Sequence, residues 1–421
     1  MDTGTILESS KLPIVGKRIL MQGIHLLRTN RNYRNLWLAS VGSQLGNWFN
    51  EVALAQVTLT LTDSPAAMGF VLLCRSLPAV ILGPFAGPFV DRFPKKPFLV
   101  ATDLVRAVLA FALSLSVWLH ASWILYVVSA LLGISGTLFG PARSAAMPLM
   151  VSRDELATAN GLDSQSSGLV QIIGAACGGI VAATVGPIMC FIVNAASYVW
   201  SAWHILRCHW DETGGERRNG TTYLQSLKAG FEEALHNRVA RAIILIGISW
   251  GLAGGGYYIL IPVLGQQVYH MGGLGIGVLY VIDGIGVLMG AYAVNQFVGK
   301  NHRRAVIWYG VAYLTQALFF TALTQFTVFA WGALMLLLMR VSSGVIIPLD
   351  TYMVQTSIRP DVQGRVFALH GSTYGGVMQL SYALTGLALA RFGIPVVGMA
   401  IGAMSMLCGV SWLAQFGRPC R

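Results

Sequence analysis

Charge is scarce in this chain. Only 11% of its 421 residues are Asp, Glu, Lys or Arg, against the ~25% usual in a soluble domain. Hydrophobic residues make up 55%, and mean hydropathy over the whole length is +0.64. That balance excludes an ordinary soluble body, and a single anchor would not produce it. Short alternating strands are also lacking, which removes a transmembrane barrel. The six cysteines form no CxxC or Cys/His cluster, so neither a disulfide framework nor a metal site is expected. There is no Walker A loop and no supported Ser/His/Asp order, so no ATP-driven or hydrolytic chemistry is expected, and no cofactor. The first 30 residues lack a signal-peptide core and cleavage site and read as a basic cytoplasmic leader. Acidic residues are the scarcer sign, 17 against 28 basic, for a net charge of +11. Membrane proteins collect Lys and Arg in cytoplasmic loops, so this excess points to topology and not to nucleic acid.

What is present is a series of apolar runs, each about 20 residues, the length that crosses roughly 30 Å of hydrocarbon. Twelve spans are predicted near 35–60, 66–90, 98–118, 122–143, 161–184, 187–206, 240–262, 274–297, 305–323, 327–350, 366–390 and 394–416. The organisation expected is a leader at 1–34, a six-helix bundle at 35–206, a cytoplasmic linker at 207–239, a second bundle at 240–416 and a tail at 417–421. Placing both termini in the cytoplasm puts 24 of the 28 Lys and Arg on that side. A multi-pass protein of the inner (plasma) membrane is therefore expected, in contact with lipid and monomeric.

The halves repeat. At a spacing of 207–208 residues the basic loop after span 2 falls on the basic loop after span 8, and Pro141, Asp154 and Leu162 fall on Pro348, Asp361 and Leu369. Duplicated halves are the plan of a transporter that rocks about a central site.

Polar residues inside the spans are the candidate site, because ionisable groups there are expensive and usually functional. Gln44, Asn47, Glu51 and Thr58 follow a seven-and-four spacing and share one helix stripe. Glu51 binds a proton or a cationic substrate, or it forms a fixed salt bridge, for instance to Arg75 or Arg340, or it is merely solvated. Arg75 and Asp283 hold matched positions in the two halves, as do Arg143 and Asp350. These charges form a structural network within or across halves, or take part in substrate and proton binding. Asp103 and Arg106 share a face of span 3 and are read as gate structure beside the cytoplasmic loop. Trp48, Trp250, Tyr257, Tyr258, Tyr374, Gln379 and Tyr382 are candidate pocket walls, with ordinary packing as the alternative. Gly254–Gly256 offer a place for span 7 to break.

The run Gly87-Pro88-Phe89-Val90-Asp91-Arg92-Phe93-Pro94-Lys95-Lys96 resembles the loop signature of the major facilitator superfamily, with Pro94 in place of a glycine. The resemblance implies that Gly87, Asp91, Arg92, Lys95 and Lys96 belong to a cytoplasmic latch between halves, with Asp103, Arg106, Arg143 and Asp350 as gating neighbours. Arg31-Asn32-Tyr33-Arg34-Asn35-Leu36-Trp37, Ser76-Leu77-Pro78, Gly140-Pro141-Ala142-Arg143, Ala159-Asn160-Gly161-Leu162 and Gly364-Arg365-Val366-Phe367 are similar to the subgroup of enterobactin exporters and macrolide efflux proteins. Gly174-Ala175-Ala176-Cys177-Gly178-Gly179 is similar to an antiporter signature without its proline; close helix packing explains it equally well. The resemblance implies an all-α fold of twelve transmembrane helices in two pseudo-symmetric bundles. It implies proton-coupled efflux of a small amphipathic molecule by alternating access. An importer, a lysophospholipid flippase, a non-transporting sensor or scaffold and a passive channel are the alternatives.

Overall fold

The computed structural model describes residues 12–210, 228, 231–233, 236–299 and 301–417. A leader helix, Leu12–Thr29, precedes twelve long helices. These are α1 (Arg31–Thr62), α2 (Pro65–Val90), α3 (Lys95–Trp118, interrupted at Leu113), α4 (Trp123–Ala146), α5 (Leu156–Thr184) and α6 (Pro187–Leu206). The second set is α7 (Arg238–Val263), α8 (Gly272–Ala293), α9 (His302–Leu323), α10 (Phe329–Ser357), α11 (Pro360–Phe392) and α12 (Ile394–Phe416). Helices α7 and α8 each continue into one π-helical turn, Leu264–Val268 and Val294–Val298. Ten of the twelve are long and apolar enough to cross a membrane. The other two, α1 and α11, are longer, at 32 and 33 residues, but more polar. Each predicted span coincides with one helix. The helices outrun the spans at the basic end, where α10 continues to Ser357 and α11 already begins at Pro360. Most of the linker at 207–239, with Asp211, Glu212, Glu216, Arg217 and Arg218, lies outside the described residues, as do Lys300 and the tail beyond 417.

The helix starts show why the chain folds twice the same way. The side-chain oxygen of Asn30 accepts the Tyr33 N–H at 3.0 Å, and its amide donates to the Met150 carbonyl at 2.7 Å. This caps α1 and ties it to the loop before α5. Asn237 caps α7 through the N–H groups of Val239 and Ala240 and donates to the Ser357 carbonyl at 3.0 Å. Asn237 and Ser357 lie 207 residues after Asn30 and Met150. Gly186 and Gly393, again 207 apart, precede α6 and α12 with φ of 107° and 77°. Only glycine takes that conformation cheaply.

Packing repeats too. Helix α1 lies on α5 as α7 lies on α11, α2 on α4 as α8 on α10, and α3 on α6 as α9 on α12. The two halves meet mainly along α2 with α11 and α5 with α8. At these seams glycines set the approach: Gly69 of α2 faces the Tyr382 carbonyl and Gly386, and Gly179 of α5 faces Gly277 of α8. The Gly174–Gly179 run packs on Trp48 and Phe49 of α1 and on α8, and α5 continues through it without a break. Gly254–Gly256 do not break α7 either. They admit Ser381 and Thr385 of α11 and Ile401 of α12, so their lack of side chains serves close packing.

The hydrophobic core is uneven along the molecule. The end away from the basic loops holds one cluster that mixes both halves, including Val52, Leu59, Met68, Ile259, Leu260 and Leu389. Toward the basic end the buried residues divide into two clusters, one within 26–208 and one within 240–412. Gly83 and Gly87 of α2 and Gly371, Gly375 and Gly376 of α11 have open space where a Cβ would stand. The halves thus pack together at one end and part at the other. Large apolar side chains such as Phe85, Val108, Trp118 and Leu407 are exposed around the outside, as lipid contact requires.

Candidate functional site

One cavity lies between the halves, and a second is walled by helices of the second half. The first, of about 480 Å³, is lined by Gln44, Asn47, Trp48 and Glu51 of α1, by Leu72, Arg75 and Ser76 of α2, and by Tyr258, Tyr280 and Tyr382. The stripe expected on α1 therefore faces a cavity, except Thr58, which is buried and bonds back to the Leu54 carbonyl. Arg75 donates to Glu51 at 2.5 Å, the salt bridge foreseen as one reading of Glu51. Burying either charge alone would be costly, and the pair holds both in place. Asn47 accepts from the Tyr198 hydroxyl at 2.5 Å. Ser76 donates to Gln379 of α11 at 2.5 Å, so the wall is stitched across the halves.

The second cavity, of about 320 Å³, sits nearer the basic end. Trp250, Tyr258, Tyr313, Arg340, Asp350 and His370 are among its walls, with Tyr374, Gln316 and Ser343. Tyr258 lines both cavities. Arg340 is ion-paired with Asp283 and its guanidinium lies over the Tyr257 ring, 4.7 Å from the centroid. Asp283 also accepts from the Tyr257 hydroxyl and from Gln171 of α5 at 2.9 Å. Tyr257 is buried behind this pair and does not line either cavity.

The matched charges do not pair with each other. Arg75 takes Glu51 and Asp283 takes Arg340. Arg143 pairs with Asp163 at 2.5 Å, while Asp350 faces His370 Nε2 at 3.4 Å and accepts from Tyr309 at 2.7 Å. Each of these ion pairs stays inside its own half, where covalent connection already brings the helices together.

Of the expected gate residues, those of the loop and those of α3 stand apart, as do Arg143 and Asp350. Asp91 is exposed and binds Lys95 at 2.9 Å, and Lys95 also donates to the Val90 carbonyl. Lys96 donates to the Cys208 carbonyl at 2.8 Å, and Arg92 is exposed. These contacts tie the loop to its own half. Asp103 lies deeper, fully buried, accepting from Ser201 at 2.6 Å beside Arg106 at 3.4 Å. Arg106 rests on Phe139 and Tyr198. That pair stands between α3, α4 and α6, away from the loop, because residue 103 is more than two helical turns beyond Lys95. Outside the spans, burial pushes the Cys208 thiol up to about 11.

Several lining residues were not foreseen: Ser76, Tyr280, Tyr313, Gln316, Ser343 and His370. Gln171 and Asp163, which hold charged walls, were missed as well. The 207-residue repeat carried the signal for His370, since it places His370 on Asp163.

The family model described as Major Facilitator Superfamily matches residues 36–381. A Bacillus subtilis (strain 168) protein, BacE, assigned provisionally as a bacilysin exporter, is 25% identical over 308 residues, 72% of this chain and 75% of that protein. Macrolide efflux protein A of Streptococcus pyogenes is 20% identical over 370 residues, 86% of this chain and 90% of its own length. Among solved structures, the nucleoside transporter NupG superposes with a TM-score of 0.74 at 13% identity, covering 92% of this chain and 99% of NupG. A peptide transporter of the POT family superposes at 0.71 and 10% identity, covering 93% and 97%. At such identities the superpositions speak for the fold.

Proposed function

Because the chain belongs to the major facilitator superfamily of membrane transporters, we propose that it exports a small amphipathic molecule from the cytoplasm by alternating access between its two six-helix halves, 35–206 and 240–416. The observation that carries this is the cavity between halves that pack at one end only, with a second cavity on the other side of Tyr258 within the second half. A cavity of about 480 Å³ is within the ~300–1,000 Å³ range of drug-sized ligand sites. Aromatic rings of Trp48, Tyr258, Tyr280 and Tyr382 suit an apolar body, and the Glu51–Arg75 pair with Gln44 and Asn47 suits a polar head. An unplugged cavity disfavours a non-transporting scaffold.

The Lys and Arg of the loops at the open end support putting that end in the cytoplasm of a plasma-membrane protein. The conformation is then inward-open, ready to load cargo, with the Asp91–Lys95 loop unlatched. Export as the direction is supported by the relatives described as exporter and efflux proteins. A proton is the proposed counter-ion. One proton moving inward through 100 mV is worth ~2.3 kcal/mol, enough for a gradient of roughly 50-fold in a neutral cargo; a singly charged cation exchanged for it moves no net charge and is driven by the pH difference alone.

The test is accumulation of dyes, macrolides and siderophores in cells with wild type, with Glu51→Gln or without the protein, with and without an uncoupler. Lower accumulation with wild type, abolished by the uncoupler, supports driven export. If Glu51→Gln also abolishes it, the first cavity carries cargo. No change for any compound, or raised accumulation, sinks the export reading.

A further inference from the structure

Membrane-embedded carboxylates in this protein fall into two kinds. Glu51, Asp103, Asp163 and Asp283 are ion-paired with Arg75, Arg106, Arg143 and Arg340. Guanidinium stays protonated at any physiological pH. Protonating one of these four carboxylates would leave a buried permanent cation without its counter-charge, which is strongly unfavourable. Asp350 differs. Its basic neighbour within ion-pair distance is His370, with 3.4 Å between Oδ2 and Nε2. Imidazole is the side chain whose charge ordinarily changes between pH 5 and 8.

The internal repeat sharpens the contrast. Arg143 and Asp163 lie 207 residues before Asp350 and His370, on α4 and α5 as against α10 and α11. One structural slot thus holds a permanent ion pair in the first half. In the second half its polarity is reversed and its cation can be switched off. The His370 ring is held against Gly247 of α7, where any side chain would collide with it, and lies parallel to Tyr374, 6.4 Å away. Its Nδ1 is buried with no hydrogen-bond partner. The other groups around this slot are Tyr309 and Tyr313 of α9, Arg340 on α10, Tyr258 of α7 and Cys408 of α12 behind Tyr313. None of these is an imidazole, the side-chain type whose charge ordinarily changes between pH 5 and 8.

We infer that His370, paired with Asp350 in the second cavity, is the proton-binding site that couples transport, and that a cationic cargo group competes with that proton for Asp350. This rests on the export reading above. With His370 protonated the pair is neutral. When the imidazole releases its proton to cytoplasmic water in the inward-open state, Asp350 is left as an uncompensated anion facing the cavity. A cationic group of the cargo takes the place of the imidazolium. In the outward-open state a proton from outside returns to the imidazole nitrogen and displaces the cargo. One proton enters per cation expelled, and the charge in the cavity stays balanced throughout. Glu51, fixed by Arg75, then serves cargo shape and polarity and not the proton.

Two measurements on the purified full-length protein test this. Trp250 lines the same cavity, so its fluorescence reports the charge of His370. A one-proton transition between pH 5 and 8 is expected in wild type. It should vanish in Trp250→Phe, His370→Gln and His370→Arg, and shift to lower pH in Asp350→Asn. The second arm uses proteoliposomes with ethidium, a lipophilic cation, and an imposed pH gradient. Gradient-driven ethidium uptake should fall to the protein-free level in His370→Gln and His370→Arg, and any residual flux should lose its pH dependence. Since His370→Arg restores an ion pair with Asp350, it decides the case should His370→Gln not fold. Persistence of the fluorescence transition, or of driven uptake, in either His370 variant overturns the proposal. Absence of the transition in wild type does so as well. If wild type moves no ethidium, that counts against export of this class of cargo, and the fluorescence arm alone judges the proton site.

Discussion

A buried ion pair is most informative when it is broken one side at a time. Glu51→Gln leaves Arg75 beside a neutral amide, and Arg75→Gln strands Glu51. The two side chains are 22% and 27% exposed, so water compensates part of the loss. Each single change should destabilise by roughly 1–3 kcal/mol, below the full penalty of an enclosed pair. The double change should cost less than the two singles together, because no charge remains unpaired. Thermal unfolding in detergent reads this cycle; strict additivity would mean that the pair does not interact. Cys208 gives a second prediction. Its buried thiol is pushed up to about 11, so the folded state keeps that proton to higher pH than the unfolded chain. Its contribution to stability is complete below the ordinary thiol range and is lost as pH rises through about 11. Iodoacetamide at pH 8 should leave Cys208 unmodified in the folded protein and alkylate it after denaturation, as peptide mass spectrometry would show. Labelling at equal rates in both states would contradict its burial.

Among the helices, capping was harder to foresee than spanning. Runs of apolar residues announce the lipid-facing helices because bilayer thickness fixes their length. The ends obey local chemistry, and that is why α10 and α11 outran their predicted spans. The repeat was legible at Pro141 and Pro348 and at the basic loops, yet its best evidence is the tie from Asn30 to Met150 recurring from Asn237 to Ser357. Replacing Asn30 or Asn237 by Ala should cost about 1 kcal/mol each through the lost cap, with some addition for the orphaned carbonyl. Equivalent Tm losses for the two would show that the halves use the tie alike; no loss for either would remove it as a stabilising element. The charged site was legible only in part. Spacing put Gln44, Asn47 and Glu51 on one stripe, and they do share a cavity. Which charges pair was not legible, since pairing depends on helix contacts such as α1 with α2 and α8 with α10, and the sequence gives no distances. His370 was missed for another reason: a lone histidine at the start of a span has no motif, its one signal was its match to Asp163 in the repeat, and its partner Asp350 lies across a helix interface.

At the scale of the whole molecule, the question is what holds the halves in this state. The shared hydrophobic cluster joins them at the end away from the basic loops. Polar contacts across the halves lie there too: Gln267 of α7 donates to Asp63 at 2.9 Å and Gln266 to Thr60 at 3.3 Å. Alternating access requires these contacts to open while α2 and α11 close over Gly83, Gly87, Gly371, Gly375 and Gly376, where space now stands empty. A covalent link between positions 63 and 267 would forbid the opening without touching either cavity. With Asp63→Cys and Gln267→Cys in a background freed of its native cysteines, a short bis-maleimide should arrest transport. Each single-cysteine variant treated alike should transport normally. Breaking a disulfide formed by oxidation of the same pair should restore activity on reduction. The stalled protein should also keep Gly375→Cys reactive to a maleimide supplied from the cytoplasmic side, because the basic end stays open. Normal transport by the fully cross-linked protein would mean that the far end does not part during the cycle, and a rocking motion of the two halves could not then be the mechanism.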